Sequence, residues 1–202
     1  MAKVYGIKKR LEKTGMDEKQ IKEIIGNGDL VDIITRMEQS LDSDTVYQIL
    51  DSCACGGGKD FIKRCEKIGK EIAGKTLSEK INYINGITPD SENIILNADN
   101  TLGVMWSFRD NEKYKCVCSA AVKTNIKVSD LVVKKDDSDD RAMPLSYCIC
   151  CAGSGRRHLQ LQLGVELKTR EVVSSPINSR GEKPCELIFE IADNLAGQRN
   201  GI

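Results

Sequence analysis

Cysteines are the residues of this chain whose chemistry and grouping stand out. Nine occur in 202 residues, an odd number that cannot pair completely within one molecule. In a reducing compartment, cysteines at this density more often bind metal ions or take part in catalysis than form disulfides. They fall into three close groups and one single residue: Cys53, Cys55 and Cys65; Cys116 and Cys118; Cys148, Cys150 and Cys151; and Cys185.

The second and third groups predict a metal site. If residues 114–121 and 145–151 form strands, the two cysteines of each C-x-C pair share one face, because side chains alternate along a strand. Neighbouring strands would then bring four sulfurs together, and a four-thiolate set is typical of zinc. The only histidine, His158, follows the third group by seven residues and could complete a set of three cysteines and one histidine. The predicted zinc ligands come from Cys116, Cys118, Cys148, Cys150, Cys151 and His158. The alternative is that these thiols bind no metal and pack in the core.

A second hypothesis comes from residues 150–156. Their sequence, Cys-Cys-Ala-Gly-Ser-Gly-Arg, resembles the C-x-A-G-x-G-R signature loop of cysteine-dependent protein tyrosine phosphatases. The resemblance implies that Cys150 is a nucleophile at a strand end. It also implies that Arg156 binds two phosphate oxygens beside a ring of backbone amides. Asp130, or an aspartate within residues 136–140, would have to act as general acid.

Thiol redox sensing is a third hypothesis. Cys150 and Cys151 are adjacent in the chain. Reversible oxidation of a thiol requires thiolate character and access to solvent. The redox hypothesis therefore predicts selective, reversible oxidation at this pair.

The first cysteine group is different, because Cys53 and Cys65 continue the apolar stripes of predicted helices and are explained by core packing. Cys55 is followed by three glycines and a lysine at residues 56–59. This segment lacks the upstream strand and the spacing of a phosphate-binding loop. We interpret it as a loop between two helices, whose functional role would be to close over a site built by the second half of the chain.

The elements that must position these residues begin with helices. To about Gly86, apolar residues recur at intervals of three and four positions, the period of an amphipathic helix. The clearest example is the series Leu30, Ile33, Ile34, Met37 and Leu41. Similar patterns begin at residues 16, 43, 61 and 76. We therefore expect a helical first part.

Beyond residue 90 the pattern changes to that of strands and turns. Strands are predicted at 92–96, 101–108, 114–121, 145–151, 165–173 and 184–191. Residues 154–163 favour a helix that ends at Gly164, although alternating leucine and glutamine there also fit a strand. The charged stretch 134–141 is predicted to be a solvated loop.

These elements predict the α+β fold class. An N-terminal helical layer would pack on a mostly antiparallel sheet with at least one additional helix. We divide the chain into a helical region, 1–87, and a cysteine-rich α+β region, 88–202, in one integrated domain. A chain of this length can bury one good-sized core.

Composition excludes several function classes. Thirty basic residues balance 30 acidic ones, so net charge gives no support to binding nucleic acid or an anionic membrane. No apolar run approaches the roughly 18 residues that a membrane helix needs. The charged N-terminus lacks the apolar stretch of a secretory signal. We expect a cytoplasmic protein. Its candidate partner is a small-molecule ligand.

The last sixty residues carry a further resemblance. Five features follow one another along this stretch: Tyr147 and Cys148, a glycine turn, Leu163-Gly164, a Ser-Pro loop and the final strand after Cys185. This order resembles the end of 4-vinyl-reductase-like domains, which are small α+β modules that bind hydrophobic ligands or porphyrin-pathway intermediates. Some of these domains hold zinc partly through cysteines near this hairpin, and Cys185 matches one of them. The resemblance implies a ligand-binding or accessory role. Together with the cysteine groups, it leads to our first hypothesis, a cysteine-rich, zinc-binding protein of this type.

Overall fold

The computed structural model describes residues 4–116, 133–135, 139–141 and 143–192. Helices fill the first part, as predicted. They are α1 (Val4–Leu11), α2 (Glu18–Ile25), α3 (Leu30–Ser40), α4 (Ser43–Asp51), α5 (Lys59–Glu71) and α6 (Leu77–Ile87), with a 3-10 turn at Glu12–Thr14. Each helix buries the apolar stripe that its sequence period predicts, for example Val31, Ile33, Ile34 and Met37 of α3.

Polar side chains determine where four of these helices begin. An aspartate or threonine precedes the first turn, and its side-chain oxygen accepts a hydrogen bond from a backbone amide three residues later. These N-caps are Asp17 for α2, Asp29 for α3, Asp42 for α4 and Thr76 for α6. The carboxylate of Glu79 in turn accepts a hydrogen bond from the backbone N–H of Thr76, which completes a capping box. Caps of this kind each contribute about 1 kcal/mol to helix stability.

A four-stranded antiparallel sheet follows the helices. It contains β1 (Glu92–Leu96), β2 (Thr101–Trp106), β7 (Leu167–Ser174) and β8 (Cys185–Ile191) in the order β1-β2-β8-β7. Ile94 lies opposite Val104, and Val104 opposite Leu187, so a buried apolar row crosses three strands. Ile95, the next residue of β1, points to the other face and is exposed. The predicted α+β class is confirmed.

Among the described residues between β2 and Met143 there are two short antiparallel strand pairs. They are β3 (Arg109–Asp110) with β4 (Lys113–Tyr114), and β5 (Val133–Lys135) with β6 (Asp139–Arg141). The second hairpin occupies the stretch that was predicted to be a loop, so that prediction is wrong for the paired residues. The strand predicted at 114–121 lies mostly outside the described residues.

The prediction of a strand at residues 145–151 is also wrong. Leu145–Cys148 forms a 3-10 turn after Pro144, and the last helix, α7, extends over Ile149–Leu163. It ends at Gly164 with a φ of 70°, a left-handed conformation that glycine adopts without strain, as predicted. Helix α7 packs against α4, α5, α6 and β7, so it is buried on several sides and lacks the polar stripe of a surface helix.

Two hydrophobic cores flank this central helix. One core gathers residues of α1 to α4 with Cys116, Tyr147, Cys150 and Ile177. The other joins α6, the sheet and the opposite side of α7, including Leu159 and Leu163. Both cores therefore mix residues from before and after residue 87.

We expect Gly69→Ala to destabilise the protein by roughly 1–3 kcal/mol. A side-chain carbon at Gly69 of α5 would overlap the backbone oxygen of Leu161 in α7, where the two helices touch. Gly86→Ala is the matched control, because Gly86 is also helical but faces open space, and there alanine should stabilise by up to about 1 kcal/mol. Urea unfolding measures both. Equal effects would show that the two helices do not approach as described.

Candidate thiol site

A largely buried ion pair fixes α7 against α4. Arg156 Nη2 lies 2.8 Å from Asp51 Oδ2, and the two side chains are only 21% and 20% exposed. Arg156 Nη1 donates a hydrogen bond to Tyr47 Oη at 2.8 Å. Burial disfavours the charged guanidinium, but the interactions with Asp51 and Tyr47 more than offset this and raise the pKa of Arg156. The arginine therefore stays charged and holds the two helices together.

The glycines beside Arg156 allow this close approach. A side-chain carbon at Gly153 would lie 2.6 Å from Asp51 Oδ1, a buried oxygen without a hydrogen-bond partner among the described residues. At Gly155 it would lie 2.6 Å from Cη2 of Trp106. Packing thus explains why small residues occupy this part of α7.

The phosphatase-like interpretation requires a strand end and a phosphate-binding loop, and neither is formed here. Residues 149–163 are one continuous helix, whose backbone amides cannot ring a phosphate. Cys150 lies in the first turn of that helix and is only 3% exposed. Arg156 is engaged by Asp51 and Tyr47. The catalytic roles predicted for Cys150 and Arg156 therefore have no support from this geometry.

The predicted metal site also depended on strands. On a helix, residues two apart point about 200° apart, so Cys148 and Cys150 do not share a face in the way a strand would allow. Cys116 and Cys150 do enter the same hydrophobic core, together with Cys53, whereas Cys185 belongs to the other core. Within the described residues no group of three or more His, Cys, Asp or Glu side chains could hold an ion. Cys118 lies outside that part of the chain, and zinc stays a prediction.

A different cysteine meets α7 at its surface. Cys55 follows α4 in the loop before α5, and its thiol donates a hydrogen bond to Ser154 Oγ at 3.2 Å. Ser154 is 6% exposed, whereas Cys55 is half-buried. Cys151 and His158 lie three residues before and four residues after Ser154, on the same face of the helix. The loop therefore closes over residues of the second half, as its position in the sequence led us to expect.

The glycine loop is shaped by His158. His158 Nε2 lies 3.5 Å from the carbonyl oxygen of Gly56, and its ring meets the Phe61 ring edge-on with centroids 4.6 Å apart. A side-chain carbon at Gly57 would come within 2.6 Å of His158 Nε2. Gly57 and Gly58 have φ values of 80° and 126°, which other residues rarely adopt. The imidazole and the backbone conformation together require glycine here.

The position of His158 affects its protonation. Burial lowers the pKa of His158, the nearby Arg157 lowers it further, and the Gly56 carbonyl only partly opposes this. The imidazole is therefore neutral near pH 7. A neutral imidazole can accept a proton, which is the property that a base beside a thiol needs.

Cys55 also borders a surface pocket. Its lining residues are Cys55, Gly56, Gly57, Gly58, Lys59, Ile62, Lys63 and Glu66. Among the described cysteines only Cys55 and Cys151 are partly exposed. Burial raises the pKa of the thiols of Cys53 and Cys65, which disfavours the reactive thiolate. Cys55 thus combines access to the pocket with a polar neighbour, Ser154.

Sequence reasoning missed Ser154 and Phe61 as parts of this site. The available signal for Ser154 was its spacing of three and four residues from Cys151 and His158, which has meaning only on a helix. The strand prediction at 145–151 hid that spacing. Phe61 carried no signal beyond its place on an apolar stripe.

Comparison with protein families, with curated proteins and with solved structures gave no match for this chain. The resemblance to 4-vinyl-reductase-like domains therefore stays a prediction. None of the helices in the described part of the chain is long and apolar enough to cross a membrane.

We expect Arg156→Met to cost about 3 kcal/mol of unfolding free energy, because it leaves the Asp51 carboxylate buried without its counter-ion. Arg170→Met is the control. Arg170 pairs with Asp99 at a similar distance, but both side chains are about half exposed, so its loss should lower the unfolding free energy much less. Chemical denaturation compares the two. An unfolding free energy of Arg156→Met equal to that of the wild type would contradict the structural role of Arg156.

We expect His158 to make the protein less stable in mild acid. The pKa of folded His158 is lowered, so the unfolded chain binds the proton more readily. The stability that depends on neutral His158 is complete above the ordinary pKa of 6.5 and is lost as pH falls below it toward the lowered value. The unfolding free energy of the wild type minus that of His158→Gln should shrink between about pH 7.5 and about pH 5. If this difference in unfolding free energy grew as the pH falls, the pKa of folded His158 would be raised and not lowered.

Proposed function

We propose that this protein performs thiol chemistry at Cys55, which attacks a small thiol-reactive molecule bound in the adjacent pocket. The observation that carries this proposal is the position of Cys55, which lines the pocket and whose sulfur contacts the buried hydroxyl of Ser154. The proposal keeps the hypothesis of a cysteine nucleophile and moves it from Cys150 to Cys55.

The surroundings of Cys55 fit the needs of a nucleophilic thiol. A thiol must lose its proton before it reacts, because the thiolate is the nucleophile. The hydroxyl of Ser154 accepts a hydrogen bond from the thiol and can turn its own hydrogen toward a thiolate. His158, four residues after Ser154 on the same face of α7, is neutral and contacts the Cys55 loop at the Gly56 carbonyl.

The other cysteine hypotheses have less support. Cys150 is buried in a hydrophobic core. Cys151 is partly exposed, but it points about 100° away from Cys150 around the helix, so the two thiols face different surroundings. Reversible oxidation of this pair stays a prediction, as do zinc binding and the accessory role implied by the 4-vinyl-reductase-like resemblance.

We expect Cys55 to be the first cysteine that iodoacetamide alkylates under native conditions. The modified residues are identified by peptide mass spectrometry after short exposure to limiting reagent. Ser154→Ala should slow alkylation of Cys55 about 2–10-fold, since a hydrogen bond of this kind contributes about 0.5–1.5 kcal/mol. His158→Gln should slow it as well, because the imidazole that contacts the Cys55 loop at the Gly56 carbonyl is lost.

Cys65→Ser is the matched control for Cys55→Ser. Cys65 lies on the adjacent helix α5 but is 1% exposed, so its loss should leave the fast phase of alkylation intact. Cys55→Ser should abolish that phase. A fast phase that persists in Cys55→Ser, or a label that appears first on another cysteine, refutes the proposal.

A further inference from the structure

We infer that the Cys55 pocket selects small electrophiles that carry a carboxylate. This inference rests on the proposed thiol chemistry and adds the charge of the substrate. Two lysines and one glutamate line the pocket together with the thiol, which leaves a net positive charge facing the bound molecule. A negatively charged reagent should therefore collect beside Cys55.

The lysines are well placed to act together. Lys59 and Lys63 are four residues apart on α5, so they share one face of the helix, on the pocket side. None of the ion pairs among the described residues involves either ammonium group or Glu66. Both lysines therefore keep their charge available to an anion in the pocket.

Two further features raise the positive potential at the same place. The guanidinium of Arg157 reaches the loop from the α7 side, where its Nη1 would lie 3.5 Å from a side-chain carbon at Gly56. Helix α5 begins beside the thiol, and its N-cap residue, Gly58, has no side chain to accept a hydrogen bond from the first amides. Those amides carry a partial positive charge.

The rest of the pocket indicates a small molecule. Ile62 is the apolar side chain that lines it, next to the three glycines of the loop. An apolar wall with a few polar groups is typical of sites for small ligands. A carboxylate next to a reactive carbon would place its charge among the lysines and its electrophilic carbon toward the sulfur of Cys55.

The chemical step needs no further reactant. The Cys55 sulfur attacks the electrophilic carbon, a carbon–sulfur bond forms, and the bond from that carbon to the leaving group breaks. The leaving group departs with the electron pair of its bond, and the thiol proton passes to water. The product is a thioether on Cys55.

Iodoacetate and iodoacetamide test this inference directly. Both transfer the same carbon and release iodide, but only iodoacetate carries a charge. The quantity to measure is the rate of alkylation by iodoacetate divided by the rate of alkylation by iodoacetamide. It is measured at Cys55 and, as the reference, for the free thiol 2-mercaptoethanol. At low salt we expect the ratio at Cys55 to be about fivefold higher, falling toward the reference at about 1 M salt, where charges are screened within about 3 Å.

Variants of α5 show whether the lysines cause the preference. Lys59→Gln and Lys63→Gln should each lower the ratio, and Glu66→Gln should raise it, because the pocket loses a negative charge. Lys9→Gln is the control, since Lys9 is an exposed lysine of another helix, α1, and does not line the pocket. A ratio that changes equally in Lys9→Gln would contradict a local effect.

The failure of this inference can be told apart from the failure of the proposed function. If Cys55 reacts quickly with both reagents and its ratio equals the reference, the charge preference is refuted and the thiol chemistry stands. If Cys55 reacts with neither reagent faster than the buried cysteines do, the thiol chemistry itself is refuted. Thermal melting of each variant confirms that it remains folded.

Discussion

The pairing of Arg156 with Asp51 is the interaction on which the rest of the arrangement depends. It fixes how far α7 sits along α4, and the loop that carries Cys55 begins where α4 ends. An ion pair that is four-fifths buried tolerates little displacement, since a shift would leave two charges without partners in a poorly solvated place. The ion pair at Asp51 therefore also determines where Cys55, four residues further along the chain, meets Ser154.

The loop between α4 and α5 combines two requirements that are hard to meet together. It must carry a thiol to the surface of α7, and it must leave room for the imidazole of His158. The glycines satisfy both, because Gly57 and Gly58 adopt positive φ angles and Gly57 approaches the imidazole ring closely. The same glycines leave the first turn of α5 open beside the sulfur, where two lysines follow. The glycine backbone and the positive charge of the two lysines thus lie around the same thiol, that of Cys55.

Much of the fold could be predicted from local pattern, because most elements have one buried and one exposed face. The stripe of α3 and the alternation of β8 are examples. The failure at residues 145–151 has a physical cause. Helix α7 is covered on several sides and built of small residues, so its sequence lacks the helical period, and the cysteines spaced by two imitate a strand. Cys55 could be singled out from its neighbours in sequence, but Ser154 became visible only with the correct helix.

The chain contains a single tryptophan, Trp106, and its indole ring rests on Gly155, the residue after Ser154. Indole emission responds to the polarity and packing around the ring. The protein therefore carries a built-in optical probe one residue from the hydroxyl that contacts Cys55. The fluorescence of Trp106 can therefore report reactions at the Cys55 sulfur in real time, without a dye attached to another cysteine.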